Sequence, residues 1–188
     1  MINDILDTVE TFRPDASEEE ANPAELDSRR YDVNLFVDNS TIGGVPVIVD
    51  TNPTYTNLLG RIEYETIGGA VITHFTNIKA GSIHRANGGY LVINALDLLR
   101  QPLTWEALKR AIKDRQICLQ SPEALLGGQI AAKSLDPEPI PLSVKIILMG
   151  SAGLYEALYE REEDFNELFK VKADFDTVMP RDASHELL

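Results

Sequence analysis

The stretch from Ala80 to Leu99, AGSIHRANGGYLVINALDLL, constrains this chain more than any other. A glycine pair, Gly88-Gly89, feeds the apolar run Tyr90 to Asn94, which has the length and composition of a buried strand. The run ends on a polar residue, and helix-like residues come next. A strand of this kind needs neighbours, and the sequence offers them. VPVIV (45–49) and SVKIILMG (143–150) are short β-branched runs with turn residues beside them. Between the strands lie helical patterns. From Leu103 to Arg115, Trp105, Leu108, Ala111 and Ile112 share one face, and Lys109, Arg110, Lys113, Asp114 and Arg115 supply charge around it. Gly153 to Arg161 predicts a second helix. Apolar strands alternating with helices predict an α/β domain with a mainly parallel sheet flanked by helices. Fold class alone carries no function.

The remaining segments set the expected organisation. Ile2, Ile5, Leu6, Val9 and Phe12 recur at helical spacing, so 2–12 predicts a short amphipathic helix that Pro14 stops. Polar, acidic residues come after it, so 1–30 is expected to be a helix plus an acidic linker. The run at 31–37, YDVNLFV, pairs naturally with 45–49 across a turn-rich connection, which predicts an N-terminal hairpin. AVITHFT (70–76), QICLQ (116–120) and LFKVKADFD (168–176) predict further strands. Prolines 137, 139 and 141 keep LDPEPIPL extended. DASHELL begins a helix that stops after its first turns, so 183–188 is expected to be the start of a truncated helix.

Charge and cysteine content exclude several classes. There are 30 acidic residues against 17 basic ones, a net charge of −13, and residues 1–30 hold nine of the acids and three of the bases. Such a field repels phosphate backbones and anionic membrane surfaces, so no nucleic-acid or membrane partner is expected. One cysteine, Cys118, excludes an internal disulfide and a thiolate zinc cluster. No apolar run approaches the roughly 20 residues that span a bilayer. MINDILDTVE lacks the basic and apolar regions of a signal peptide. A cytoplasmic compartment is the expectation.

Several motifs fail on inspection. Gly127, four residues, then Ala132-Lys133-Ser134 nearly spells a phosphate-binding loop, but Ala132 replaces the second glycine and the prolines from 137 forbid the helix such a loop must open. Gly150-Ser151-Ala152-Gly153 lacks the spacing of a nucleophile elbow, and no motif supplies a base for Ser151. His74, His84 and His185 show no metal-ligand spacing. Cys118, between Ile117 and Leu119, is expected to be a buried structural thiol. Glu160, Glu162, Glu163 and Asp164 are expected to form a solvated helix end. What survives is the strand ending at Asn94, which has the architecture of a Walker B segment, where an acid at the strand tip holds magnesium and the next acid polarises water. Asn94 carries no charge and Ala95 cannot act as a base.

At that segment the chain resembles a family. HRANGGYLVINALDLL is similar to the HRAxGG-hhhh-DE segment of Lon-type proteases and related AAA+ ATPases. VDNSTIGGVPVIVDTNPTYTNLLGRIEYE upstream, and QPLTWEALKRAIKDRQI, LDPEPIPLSVKIILMG and EDFNELFKVKADFD downstream, extend the resemblance over 31–182. It implies a partial AAA+ P-loop-NTPase-like subdomain lacking Walker A. The parent would be a hexameric Lon-like serine protease, an ATP-dependent or degenerate, ATP-independent endopeptidase acting on unfolded proteins. By the same resemblance Asn94 and Ala95 stand at the two Walker B positions, Ser151 near sensor 1, Tyr64 and Phe75 in a substrate-contacting pore loop, and Arg181 at an arginine finger. Lys170 stands where ELFKV offers no arginine. No metal site and no catalytic residue is expected in the fragment, and ATP with magnesium belongs to the parent. The resulting expectation is a fragment serving ring assembly and substrate gating, without catalysis of its own. The alternative is a non-hydrolysing binding or assembly module of a degenerate AAA+ protein.

Overall fold

The computed structural model describes residues 32–68, 70–120, 135–176 and 178. Its centre is a three-stranded, all-parallel sheet in the order β1 (Val47–Asp50), β6 (Tyr90–Asn94), β9 (Lys145–Met149). The register is continuous across it: Val47 pairs with Tyr90 and Tyr90 with Lys145, and so on to Asn94 opposite Met149. Between β1 and β6 come α1 (Tyr55–Leu59), β2 (Arg61–Ile62), the antiparallel pair β3 (Glu65–Ile67) and β4 (Ala70–Ile72), then β5 (Ile78–Lys79) and α2 (Ser82–Arg85). β2 and β5 close the base of that excursion. Between β6 and β9 come α3 (Ala95–Leu99), α4 (Pro102–Asp114), β7 (Gln116–Ile117) and β8 (Ile140–Pro141), the last two paired antiparallel. α5 (Ala152–Arg161) and α6 (Phe165–Leu168) come after β9.

The glycine pair at 88–89 sets the sheet. Gly88 adopts φ +85, a left-handed conformation that glycine enters without a Cβ penalty. Gly89 answers a different constraint: a Cβ there would lie 2.0 Å from the carbonyl oxygen of Pro46. That close approach lets Tyr90 N–H donate to Pro46 O at 2.8 Å, while Gly88 N–H donates to Ser143 O at 2.8 Å and Lys145 N–H to Gly89 O at 2.9 Å. Both neighbours are therefore brought into register at one turn.

The core forms where α4 and α1 meet one side of this sheet. Leu58, Ile83, Leu91, Ile93, Leu98 and Leu108 are fully buried together, with Trp105 and Ala111 beside them. α4 begins with Pro102 in its first turn, a position where the missing N–H costs nothing, and ends on Arg115 in the left-handed region. Its charged residues are not all solvated. Lys109 is buried on the core side, 2.8 Å from both Glu106 and Glu162, with its ammonium 5.4 Å from the Trp105 ring centre. Burial works against its charge, but the hydrogen bonds to Glu106 and Glu162 outweigh this and hold its pKa above the ordinary lysine value. Glu162 is held below its ordinary value by Lys109. Lys113 pairs with Asp164 at 2.6 Å. The acidic run after α5 is thus only partly a solvated helix end, because two of its members clamp α4.

Other expectations are corrected. The N-terminal hairpin does not form: β1 pairs in parallel with β6, and residues 32–39 carry no strand. That segment attaches through side chains instead. Asn34 Nδ2 donates to Phe75 O and Ile78 O, and Phe36 packs edge-on against His84. Residues 168–176 form no strand either. α6 takes Leu168, and Phe169 turns in to stack on Phe165 and Trp105. Cys118 is exposed, because period-two alternation puts it opposite the buried Ile117. The expected helix at 2–12, the acidic linker, the near-P-loop at 127–134 and the helix start at 183–188 lie outside the described residues.

Two substitutions test these packing arguments. Gly89→Val should destabilise the fold by about 3 kcal/mol, because β1 must move away from Pro46 O. In thermal unfolding this lowers Tm by roughly 6–12 °C. Lys109→Ala should cost about 1 kcal/mol in urea unfolding, since Glu106 and Glu162 keep water as a partner, and Lys109→Met, which keeps the volume, should cost less.

Candidate functional site

In a parallel sheet all carboxyl ends of the strands lie along one edge, and loops there converge on any ligand. Here the edge carries Asp50 and Thr51 at the end of β1, Asn94 and Ala95 at the end of β6, and Gly150 and Ser151 after β9. The register brings the last two pairs together. Asn94 stands opposite Met149, and a Cβ on Gly150 would lie 3.5 Å from Ala95 Cβ.

Asn94 and Ser151 on this edge already serve the backbone as helix caps. Asn94 Oδ1 accepts from the N–H groups of Leu96 at 2.9 Å and Asp97 at 3.3 Å, so it is the N-cap of α3. Ser151 Oγ accepts from Leu154 N–H at 3.3 Å and caps α5. Ala95 is buried, with its methyl group toward Gly150. Asp97, the nearest acid after β6, pairs with Arg100 at 3.2 Å. The donor set does not suit a magnesium–nucleotide complex. Mg²⁺ favours carboxylate oxygens in octahedral geometry, and these positions offer one amide oxygen, which already accepts two hydrogen bonds, and a methyl group. Among the described residues no group of three or more His, Cys, Asp or Glu side chains could hold a metal.

Asp50 was not anticipated from sequence. Its Oδ1 accepts from Asn52 N–H at 3.0 Å and its Oδ2 from Ser82 Oγ, which ties the end of β1 to the start of α2. It lies at a polar cleft of about 350 Å³ that Thr51, Asn57, Arg61 and Arg85 also line. The signal was present: VIVD is an apolar run ending on an acid, the pattern sought at 90–94. Next to it His84 is buried in α2. Gly81 N–H donates to its Nδ1 at 3.2 Å, so in the neutral ring the proton sits on Nε2. Burial lowers its pKa to about 4.

The pore-loop candidates flank a hairpin. Tyr64 immediately precedes β3, with its hydroxyl buried and without a hydrogen-bond partner. Phe75 opens a 3-10 turn after β4 and is half-buried. Exposed aliphatic side chains, Val71 and Ile72, lie on β4 between them. Neither aromatic meets Asn94 or Ser151 in the described contacts. Arg181 lies outside the described residues.

The fold is a parallel β-α-β-α-β module with an antiparallel hairpin inserted before its central strand, whose tip residue Asn94 caps α3. The LonB-like, AAA domain family model matches residues 43–176, and the chain belongs to that family. Among individual proteins, a Lon protease homolog of Escherichia coli (strain K12) is 30% identical over 95 residues, 48% of this chain and 14% of the relative. The archaeal Lon protease of Thermoplasma volcanium is 24% identical over 139 residues, 73% of this chain and 20% of the relative. The chain therefore spans between about a seventh and a fifth of these relatives' length. A crystal structure of NtrX from Brucella abortus aligns over 77% of this chain and 26% of that one, with 21% identity and a TM-score of 0.38, a likeness too slight to build on. No helix among the described residues is long and apolar enough to cross a membrane.

His84 makes the fold acid-sensitive. The unfolded imidazole takes up a proton near pH 6.5, whereas the folded one resists until about pH 4. The unfolded state therefore binds more protons in that window, and stability falls as pH drops through it. The loss should approach about 3 kcal/mol. His84→Gln, which keeps an acceptor for Gly81 N–H, should flatten that part of the stability–pH curve in urea titrations.

Proposed function

We propose that this chain is the part of a Lon-like protease's AAA module that serves ring assembly and substrate gating, with peptide and nucleotide hydrolysis residing elsewhere in a longer parent. In this reading the parent is a hexameric, cytoplasmic serine endopeptidase acting on unfolded proteins. Residues 31–182 are its AAA-like subdomain, preceded by a linker and succeeded by the start of a further helix. The observation that carries the reading is the strand tip. Asn94 and Ala95 hold the two Walker B positions by resemblance, yet Asn94 caps α3 and Ala95 is buried. The site keeps the architecture that links the strand ends and lacks the acids that hydrolysis requires. Ser151, by its place after β9, belongs to the same edge. Tyr64 and Phe75 are the aromatics of the gating excursion, and they would act by positioning the β3–β4 hairpin, with Val71 and Ile72 meeting substrate. Arg181 is proposed as the trans-acting arginine.

The test has two parts. Asn94→Asp keeps a good N-cap, and the double variant with Ala95→Glu restores both acids. Neither should turn over ATP in this chain, because the remaining phosphate-cradling groups belong to the parent. Phosphate release above background by either variant would overturn the placement. In the full-length parent, casein degradation should be weakened by Val71→Asp at the hairpin while titration calorimetry with ATP and magnesium stays unchanged. Unimpaired degradation by that variant would remove the hairpin from gating.

A further inference from the structure

The turn that enters β6 carries Asn87-Gly88, the sole Asn-Gly pair in the sequence. This dipeptide has a chemistry of its own. Glycine puts no Cβ beside its backbone nitrogen, so that nitrogen can reach the carboxamide carbon of the asparagine before it. Here the polar atoms of that reaction are each held elsewhere. Asn87 Nδ2 donates to Pro141 O at 2.9 Å, and Asn87 Oδ1 accepts from Ser143 N–H at 2.8 Å. Gly88 N–H donates to Ser143 O at 2.8 Å. The Asn87 amide thus stands in for strand backbone against residues 141–143, where β8 leads into β9. Burial does not supply the protection, because Gly88 is exposed and Asn87 half-buried. The hydrogen bonds to 141–143 do.

We infer that Asn87-Gly88 is a self-modification site that the fold closes and unfolding opens. Once residues 141–143 depart, Gly88 N gives up its proton and attacks Asn87 Cγ. The new N–Cγ bond closes a cyclic imide, the Cγ–Nδ2 bond breaks, and Nδ2 leaves as ammonia with the added proton. Water then adds to either imide carbonyl and opens the ring, leaving aspartate or isoaspartate at 87. Water is the only co-reactant. Both products fit the turn badly. Aspartate sets an acceptor against Pro141 O, where Nδ2 had donated. Isoaspartate adds a carbon to the main chain just before Gly88, at a turn where even a Cβ on Gly89 would collide with the Pro46 carbonyl. The step runs one way. The turn therefore marks chains that have once opened, and the marked chains are lost to the native register.

The proposal is independent of the gating reading and is tested on the full 188-residue chain, with a reductant to keep Cys118 reduced. Samples are held in mildly alkaline buffer, either native or unfolded in guanidinium chloride, and peptide mass spectrometry reads the exchange of NH2 for OH at residue 87. The unfolded chain should convert about a hundredfold faster than the folded one, whose reaction must wait for the turn to open. After dilution to refolding conditions, gel filtration separates the native fraction. That fraction should be depleted of the modified peptide, and the unrecovered fraction enriched in it. Holding the unfolded chain at mildly acidic pH, where Gly88 N keeps its proton, should stop both the conversion and the loss of recovery. Equal conversion in folded and unfolded samples would overturn the proposal. So would a native fraction that carries the modified peptide in the same proportion as the whole sample, since the products would then fit the turn.

Discussion

The backbone contact between Gly89 and Pro46 governs how the strands of this molecule align. A side chain at Gly89 would occupy the space of the Pro46 carbonyl. Without one, β6 starts flush against β1, and the neighbouring glycine turns the chain so that its N–H meets Ser143 on the other side. One turn therefore sets the register of three strands. Because side chains alternate along a strand, that register also decides which face carries Leu91 and Ile93 into the core and which leaves Val49 and Ile147 outside.

The same register builds the candidate site. Parallel strands begun in step end in step, so the residues after β6 and β9 arrive together, with Ala95 against Gly150. Small residues, Ala95 and Gly150, meet at this junction. The polar residues beside them, Asn94 and Ser151, complete helix ends. An edge of this kind is suited to transmitting the position of one helix to the next. The chain belongs to the LonB-like AAA family, and the tip of β6 carries an amide and a methyl group where acids would stand by resemblance.

Around that sheet, charged groups hold elements that apolar contacts alone leave loosely placed. Lys109 reaches from α4 to Glu162 at the end of α5, and Lys113 reaches Asp164 before α6. Phe165 and Phe169 then stack toward Trp105. The arrangement explains why the segment after Leu168 is not a strand: its first aromatic is drawn into a helix-side cluster, and among the described residues no strand lies beside it to pair with.

Local chemistry determined the α/β class, the strands at 47–50, 90–94 and 145–149, the helix from 102 to 114 and the family resemblance, because each rests on periodicity, glycine placement or a run of residues read in order. Those signals do not say what an extended run pairs with. YDVNLFV has strand composition, yet its contacts run through Asn34 and Phe36 side chains, while β1 pairs with β6 instead. Nor could composition tell that Lys109 is buried, that Cys118 faces outward, or that Asn94 is occupied as a cap. Each depends on which neighbour arrives from elsewhere in the chain: Glu162 from 53 residues away for Lys109, and the backbone turn of α3 for Asn94. Periodicity reports the face a residue shares with its sequence neighbours, and only the tertiary structure decides what that face meets.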